Sequence, residues 1–248
     1  MALSPAEVVR VGCAGWALRK EHAAEFPTGG THLARYAGRF PAVEINSSFY
    51  RRHKPATYAR WAESVPPDFR FAVKVPRDVT HARRLIGTED VLDRFLPEAT
   101  ALGAKLGPLL VQLPPSLVFD AGVLKLFLGG LRARFDGAVV LEPRHPTWFE
   151  GGAERVLKAH RISRVAADPA VVPAAAEPGG WGGLVYYRLH GSPKMYYSAY
   201  DATYLRDLAG KLAAAAESSA VWCVFDNTAE GAATLNALDV LGRVRPGR

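Results

Sequence analysis

Charged and amide side chains stand at the carboxyl ends of short β-branched or aromatic runs along this chain. If each run is a β-strand, its side chains alternate between two faces, and one alternate set faces the inside of a barrel. The inward set is Glu44, Asn46, Lys74, Gln112, Glu142, Arg144, Asp168, Arg188, His190 and Asp226. A purely structural interior would hold Val, Ile and Leu, because a buried unpaired charge costs several kcal/mol. The set predicts a functional site, and a structural salt-bridge network is the alternative.

These residue types suit acid and base chemistry on an anion. Lys74, Arg144 and Arg188 can hold a phosphate or carboxylate group, while Glu142 and His190 can move protons. The catalytic candidates are Glu142, His190, Lys74 and Asp226, and the substrate-binding candidates are Glu44, Asn46, Tyr50, Gln112, Arg144, Trp148, Arg188, Tyr200 and Asn227. The leading hypothesis is an enzyme for a phosphate-bearing or carboxylate-bearing substrate, with hydrolase, lyase and isomerase chemistry all open.

Aromatic and basic residues recur in the loops that follow the predicted strands. The aromatic ones are Trp16, Phe49, Tyr50, Trp148, Phe149, Trp181, Tyr196, Tyr197 and Tyr200, and the basic ones are Arg51, Arg52, His53, Lys54, Arg77, His81, Arg83, Arg84, His145 and Lys194. Aromatic faces interleaved with cations suit a nucleotide or a nucleic acid. The second hypothesis is therefore a nucleic-acid-binding protein without chemistry, and the third a metal-dependent phosphodiesterase. Anchoring of loops to the barrel is the bland explanation for each aromatic residue.

The elements that position these residues alternate between strand and helix patterns. Predicted strands are Val9–Gly12, Val43–Asn46, Arg70–Val75, Leu109–Leu113, Ala138–Glu142, Arg164–Asp168, Leu184–His190 and Val221–Asp226, with helical spacing between most of them. Only the sixth unit, AVVPAAAEPGGWGG, has a loop composition. Eight strands in about 250 residues predict one α/β domain over residues 1–248, a (β/α)8 TIM-type barrel with its site at the carboxyl-end face of the strands.

Composition sets the broad class of the protein. The chain has 248 residues, 49% of them hydrophobic, and a formal net charge of +7, which favours anionic partners. No stretch approaches the roughly 18 apolar residues that a membrane span needs, and no signal peptide is evident at the amino terminus, so we expect a cytoplasmic protein. Cys13 and Cys223 are expected to be reduced core thiols without a disulfide partner.

Several ordered segments resemble the domain of unknown function 72, or YecE-like, family. They are VEINSSFYRRHKPATYARW, FRFAVKVPRDVTH, LLVQLPPSLVFD, LEPRHPTWF, YYRLHGSPKMYYSAY and FDNTAEGAATLNAL. The resemblance implies a TIM-type barrel but supplies no activity. The family often has Phe-Asn-Asn-Thr where this chain has Phe225, Asp226, Asn227 and Thr228, so a carboxylate replaces an amide.

At the level of the fold, the family resembles metal-dependent barrel enzymes such as sugar isomerases and endonuclease-four type phosphodiesterases. A multi-zinc phosphodiesterase site needs several His, and the inward set has only His190. A single Mg²⁺ or Mn²⁺ on Glu44, Glu142, Asp168 and Asp226 is chemically allowed, because these ions prefer oxygen ligands. The sequence identifies no cofactor, and we assign no metal ligand.

Overall fold

The computed structural model describes residues 9–244, in which parallel strands alternate with helices. The strands are β1 (Val9–Cys13), β2 (Ala42–Ile45), β3 (Arg70–Lys74), β4 (Leu106–Gln112), β5 (Val139–Glu142), β6 (Ser163–Arg164), β7 (Ala166–Asp168), β8 (Gly179–Gly180), β9 (Leu184–Leu189) and β10 (Ala220–Phe225). The helices are α1 (His32–Ala37), α2 (Ser47–Tyr50), α3 (Pro55–Glu63), α4 (Glu89–Thr100), α5 (Ala121–Arg132), α6 (Gly152–Ala159), α7 (Ala202–Ala215) and α8 (Ala232–Val244). This is a mixed α/β fold.

The strands form two sheets that meet at two places. One sheet has the order β1-β10-β9-β7, and the other has the order β2-β3-β4-β5-β6-β8. An isolated parallel bridge joins Ala14, just after β1, to Glu44 of β2. At the other junction β6 and β7 are separated only by Val165, whose backbone N–H donates to the Leu141 carbonyl of β5. All the strand pairs are parallel except the short β6–β8 pair.

Alternation along the strands produces two separate apolar cores. The larger core packs one face of the strands against the helices, as Val43 of β2, Leu124 of α5 and Leu212 of α7 illustrate. The smaller core lies on the opposite strand face and contains Ala42, Ala72, Leu110, Val140, Val165, Leu184, Tyr186, Trp222 and Val224. The polar residues two positions beyond several of these, such as Glu44 and Lys74, therefore share the face of the smaller core.

Helix starts follow from polar capping residues. The side chains of Thr31, Asp120 and Asp201 accept backbone N–H bonds at the first turns of α1, α5 and α7. Such caps satisfy donors that have no partner inside the helix and typically contribute about 1 kcal/mol each. The loops that carry the site are thus attached to helices with fixed first turns.

The observed elements confirm the predicted strand and helix order. Each predicted strand is present to within a few residues, although Arg164–Asp168 is interrupted at Val165. The sixth unit contains a 3-10 turn, Pro173–Ala176, and the strand β8, which pairs antiparallel to β6 and was not predicted. The sequence also gave no indication of α2, the single turn that follows β2.

Cysteine state and membrane character were also predicted. Cys13 and Cys223 are buried and free, and burial raises the pKa of the Cys13 thiol to about 12. Burial likewise raises the pKa of Cys223 far above its ordinary value. Within residues 9–244, no helix combines the length and the apolar character that crossing a membrane requires.

Candidate active site

Seven ionisable side chains meet at the carboxyl ends of five strands. We call them the charged cluster: Glu44 (β2), Lys74 (β3), Glu142 and Arg144 (at and after β5), Arg188 and His190 (at and after β9) and Asp226 (after β10). Their side chains point to the same face of the strands as the smaller apolar core, because each lies an even number of residues along its strand from a member of that core. The alternation argument therefore placed these seven residues in one region.

Arg188 is the centre of the cluster. Its guanidinium is fully buried and donates from Nε and Nη2 to Glu44, with Nη2 to Oε1 at 2.7 Å. Nη1 donates to Glu142 Oε2 at 3.2 Å, and Nη2 also lies 2.9 Å from Asp226 Oδ2. Burial opposes its charge, but the three carboxylates outweigh burial and hold its pKa well above the ordinary range. Every nitrogen of the Arg188 guanidinium therefore contacts a protein carboxylate.

Tyr186 completes the environment of Glu44. Its hydroxyl donates to Glu44 Oε2 at 2.9 Å, and the ring is fully buried two residues before Arg188 on the same strand face. Sequence reasoning missed this residue. The period of two that selected Arg188 and His190 also selects Tyr186, and this was the available signal.

His190 joins the two outer parts of the cluster. Its Nδ1 lies 3.1 Å from Asp226 Oδ2, and its Nε2 lies 2.9 Å from Arg144 Nη2 and 3.1 Å from Glu142 Oε1. Each ring nitrogen of His190 therefore faces a carboxylate, and Nε2 also contacts the Arg144 guanidinium, which can only donate hydrogen bonds.

The two outer carboxylates are held ionised by their neighbours. Burial alone would raise the pKa of Glu142, but Arg144 and Arg188 hold it well below its usual range. Burial also opposes ionisation of Asp226, and the charge of Arg188 together with the His190 hydrogen bond lowers its pKa. Both groups therefore remain carboxylates at neutral pH, and Glu142 has no exposed surface.

Lys74 differs from every other cation in the cluster. Its ammonium is 4.1 Å from the centroid of the Phe49 ring, and within residues 9–244 it makes neither a hydrogen bond nor an ion pair. Burial lowers its pKa most, and Arg188 lowers it further, whereas Glu44, Glu142 and Asp226 offset part of the change, giving a pKa of about 8. A buried amine that is partly neutral near physiological pH can act as a base or a nucleophile.

Two amides border the cluster. Asn46 donates from Nδ2 to Asp226 Oδ1 at 3.4 Å, and its buried Oδ1 accepts no hydrogen bond from the described part of the chain. Gln112 lies beside Glu142 in the β4–β5 register and donates from Nε2 to the Leu113 carbonyl at 2.8 Å. Asn46 thus offers its Oδ1 to a ligand as a hydrogen-bond acceptor. The Gln112 Nε2 group, in contrast, already donates to the neighbouring backbone carbonyl.

The placement of Asp168 differs from the prediction. In the β7–β9 register Asp168 pairs with Leu189, whereas Ala167 pairs with Arg188, so Asp168 has the outward parity. Its Oδ1 accepts from the Tyr200 hydroxyl at 2.7 Å. Arg164 and Asp168, the charged residues at the two ends of this run, lie on the same face of the strand. That face points to the helices. Asp168 is therefore not in the charged cluster.

Tyr200 and Asn227 hold a loop and do not line the site. The Tyr200 hydroxyl accepts from the Gly191 N–H at 2.8 Å. Asn227 donates from Nδ2 to the Ser198 carbonyl and to Asn236 of α8, both at 2.9 Å. Both residues are buried. They fix the segment between β9 and α7 against the ends of the strands.

Other predicted rim aromatics also lie elsewhere. The Trp148 indole is buried and donates to the Leu117 carbonyl at 2.7 Å. Trp181 donates its backbone N–H to Ile162, which precedes β6, so it lies at the amino end of that strand. Tyr50 stays at the carboxyl-end rim, with 78% of its surface exposed. Side chains in loops do not alternate regularly between two faces. The direction in which each loop aromatic points is therefore set by tertiary contacts that the sequence does not reveal.

The segment between β9 and α7 covers Arg144 and His190. Met195 Sδ lies 3.9 Å from Arg144 Nη1, and the Tyr196 ring packs edge-on against the His190 ring at 5.8 Å. Gly191 begins this segment with a φ of 91°, and a Cβ there would lie 2.7 Å from the Ser198 carbonyl oxygen. The close turn therefore requires glycine at this position.

The carboxylates do not form a metal site. Within residues 9–244, no group of three or more His, Cys, Asp and Glu side chains is arranged to hold an ion. The Arg188 guanidinium lies between Glu44, Glu142 and Asp226, and Asp168 faces the other side of its strand. The oxygen set considered for Mg²⁺ or Mn²⁺ therefore does not fit the observed geometry.

A protein-family model matches nearly the whole chain. The model described as "Protein of unknown function DUF72" matches residues 10–247. This chain belongs to the DUF72 family. Its curated relative YecE of Escherichia coli is 34% identical over 153 residues, a match that covers 59% of this chain and 56% of YecE. The matched region is thus little more than half the length of that relative.

Solved DUF72 structures share the fold. A DUF72 protein of Enterococcus faecalis has a TM-score of 0.81 at 21% identity, with 97% of this chain and 96% of that chain covered. A DUF72 protein of Thermotoga maritima has a TM-score of 0.77 at 24% identity, with 94% and 97% covered. These likenesses show that this chain shares its fold with the two proteins, and they carry no activity.

Proposed function

We propose that the charged cluster is the active site of an enzyme for a small anionic substrate, with Lys74 as its proton-transfer group. One observation supports this most strongly: Lys74 is a buried amine without a hydrogen-bond partner in residues 9–244, and its pKa is about 8. In the deeper cation Arg188, by contrast, each guanidinium nitrogen contacts a carboxylate. A protein that keeps one buried cation unpaired beside a paired network leaves that cation available to a ligand.

The substrate carries a phosphate or carboxylate group next to an acidic C–H or O–H bond. Arg144, whose side chain is 13% exposed, holds the anionic group from the solvent side of the cluster. Neutral Lys74 takes the proton and becomes an ammonium, and the negative charge left on the substrate is stabilised by Arg144. Asn46 Oδ1 accepts a hydrogen bond from a substrate hydroxyl group.

Glu142 and His190 position other groups in this scheme. Glu142 is enclosed by two arginines and stays ionised, so it neither donates a proton nor reaches solvent. His190 holds Asp226 through Nδ1 and Arg144 through Nε2. Asp226 lies at the edge of the cluster, where its charge favours the protonated form of Lys74. Proton movement is thus assigned to Lys74 in place of Glu142 and His190.

The same proposal takes the two sheets as one closed (β/α)8 barrel in one domain. The Ala14–Glu44 bridge and the continuity of β6 with β7 support closure, because together they connect both sheet edges. Eight parallel strands arranged in this way place the charged cluster at the barrel's carboxyl-end mouth, which is where such barrels carry their chemistry. A cytoplasmic location remains part of the proposal.

The test combines binding and proton exchange. Inorganic phosphate is titrated calorimetrically into the wild type, Lys74→Met, Arg144→Gln and a control, Lys125→Met, which alters an exposed residue of α5. We expect either site variant to weaken phosphate binding roughly tenfold or more, because each removes a charged contact. Dihydroxyacetone phosphate in D₂O then reports proton exchange by NMR. Equal phosphate affinity in all four proteins, without exchange, would refute the proposal.

A further inference from the structure

A groove with a cavity volume of about 340 Å³ lies beside the charged cluster, next to α2 and α4. Its lining includes Phe49, Tyr50, Arg51, Arg77, Arg94 and Phe95. The Phe49 ring lines this groove and also contacts the Lys74 ammonium, so it separates the groove from the cluster. The groove is thus a second concave surface with its own set of cations.

Two arginines of the groove are neutralised by the protein. Arg52 pairs with the buried carboxylate of Glu98, and Arg94 Nη2 donates to Asp90 at 2.9 Å. The groove also contains one carboxylate, Asp78, which lies 3.7 Å from Arg83 Nε. These charges balance one another within the fold, so they add little net potential to the groove.

Arg51 and Arg77 remain uncompensated. Both are exposed, and in the described part of the chain neither guanidinium makes a hydrogen bond or an ion pair. Arg51 lowers the pKa of His53 after the larger effect of burial, and Arg77 lowers the pKa of His81 after the larger effects of burial and of Lys74. Two unpaired guanidinium groups lining one groove are suited to the oxygens of phosphate groups.

Tyr50 gives the groove an aromatic face. It is 78% exposed and lines the groove, so its ring is free to contact a ligand there. Its ring meets Phe49 edge-on, with centroids 4.9 Å apart and an interplanar angle of 89°. Stacking on a planar ligand would cover apolar surface that the fold leaves in water.

We propose that this groove binds a nucleoside phosphate, with Tyr50 stacking on the base and with Arg51 and Arg77 holding the phosphates. The cavity volume lies at the low end of small-ligand sites, which suits a single nucleotide and not a duplex. This inference is independent of the chemistry proposed for Lys74, because none of its three contacts belongs to the charged cluster.

The experiment measures binding of ADP, adenosine and pyrophosphate by isothermal titration calorimetry on the full chain. Variants are Arg51→Gln/Arg77→Gln and Tyr50→Ala, and the control is Arg60→Gln, an exposed arginine of α3. We expect the double arginine variant to weaken ADP binding roughly tenfold or more, because two charged contacts are lost. Tyr50→Ala is expected to weaken ADP binding about tenfold and to leave pyrophosphate unchanged.

The Arg60 variant is expected to bind ADP like the wild type. All substituted side chains of the groove are exposed, so the variants should fold, and circular dichroism checks this. Absence of ADP binding in the wild type, or ADP binding unaffected by the double arginine variant, overturns the inference. Pyrophosphate that binds as tightly as ADP identifies a plain anion site instead. Affinity for oligonucleotides that increases with their length identifies a nucleic-acid surface instead.

Discussion

Replacing Lys74 with Met should stabilise the protein at neutral pH and should stop doing so at high pH. The folded pKa of about 8 lies below the ordinary value of 10.5, so the unfolded chain binds this proton more tightly. The difference between 10.5 and about 8 corresponds to about 3 kcal/mol of folding free energy. Below pH 8 the wild type is destabilised by this full amount, because the amine is protonated in both the folded and the unfolded state. As pH rises from 8 to about 10.5 the penalty disappears, since the amine is then neutral in both states.

Urea unfolding of the wild type and Lys74→Met at several pH values from 7 to 10.5 measures this. Met has a similar length and can keep the contact with the Phe49 ring, so packing changes little. The stability advantage of Lys74→Met should be about 3 kcal/mol greater at pH 7 than at pH 10.5. Groups that titrate in both proteins cancel in the difference, and Lys125→Met, which alters an exposed lysine of α5, is the matched control. An advantage that stays constant over this pH range would refute the reasoning.

Three other perturbations test separate parts of the structure. Glu44→Gln should destabilise the protein by about 3–5 kcal/mol in urea unfolding, since it leaves Arg188 without its main buried partner, and a loss below about 1 kcal/mol would contradict that role. Asp226→Asn should lower the pKa of Lys74 below about 8, because it removes a nearby negative charge, and an unchanged or higher pKa by NMR titration would argue against their coupling. Gly191→Ala should lower the thermal midpoint, since φ is 91° and its Cβ would meet the Ser198 carbonyl; an unaltered midpoint would show that the turn adapts.

The strand positions were predictable because alternation is a local property. In both Val43–Asn46 and Leu184–His190 the polar residues occupy alternate positions, so they share one face of the strand. This alternation predicted that Glu44 and Arg188 lie together, as they do. Arg164–Asp168 failed because its charged residues have the parity that faces the helices. The residues of this segment that face the charged cluster's side of the sheet are only Ser163, Val165 and Ala167, none of them charged. The sequence alone therefore does not indicate which of the two alternating faces is the inward one.

The chemistry inside the cluster was less predictable than its membership. Composition identifies carboxylates and cations, but their roles depend on which pairs make contact. Glu142 is held by two arginines, whereas Lys74 has no ion-pair partner in residues 9–244. This difference moved the proposed proton transfer from Glu142 to Lys74. Distances between residues on separate strands, not spacing along the chain, determine such roles.

The aromatic rim shows the same limit for loops. Trp148 and Tyr200 are buried and bonded to backbone groups, whereas Tyr50 is exposed. All three follow strands and have one polar and one apolar neighbour in the sequence, so their local sequences look alike. Tertiary packing separated the two anchors from the binding candidate, as expected of amphipathic rings that can serve either purpose.

The pKa of Lys74 itself, measured by NMR with and without inorganic phosphate, tests the central claim most directly. Lysines are dimethylated with ¹³C, and the Lys74 signal is the one absent from Lys74→Met. We predict a pKa of about 8 in the free protein and a higher value with phosphate bound, because a nearby anion favours the ammonium form. A value near 10.5 that phosphate does not change would contradict the claim that Lys74 is the group presented to an anionic substrate.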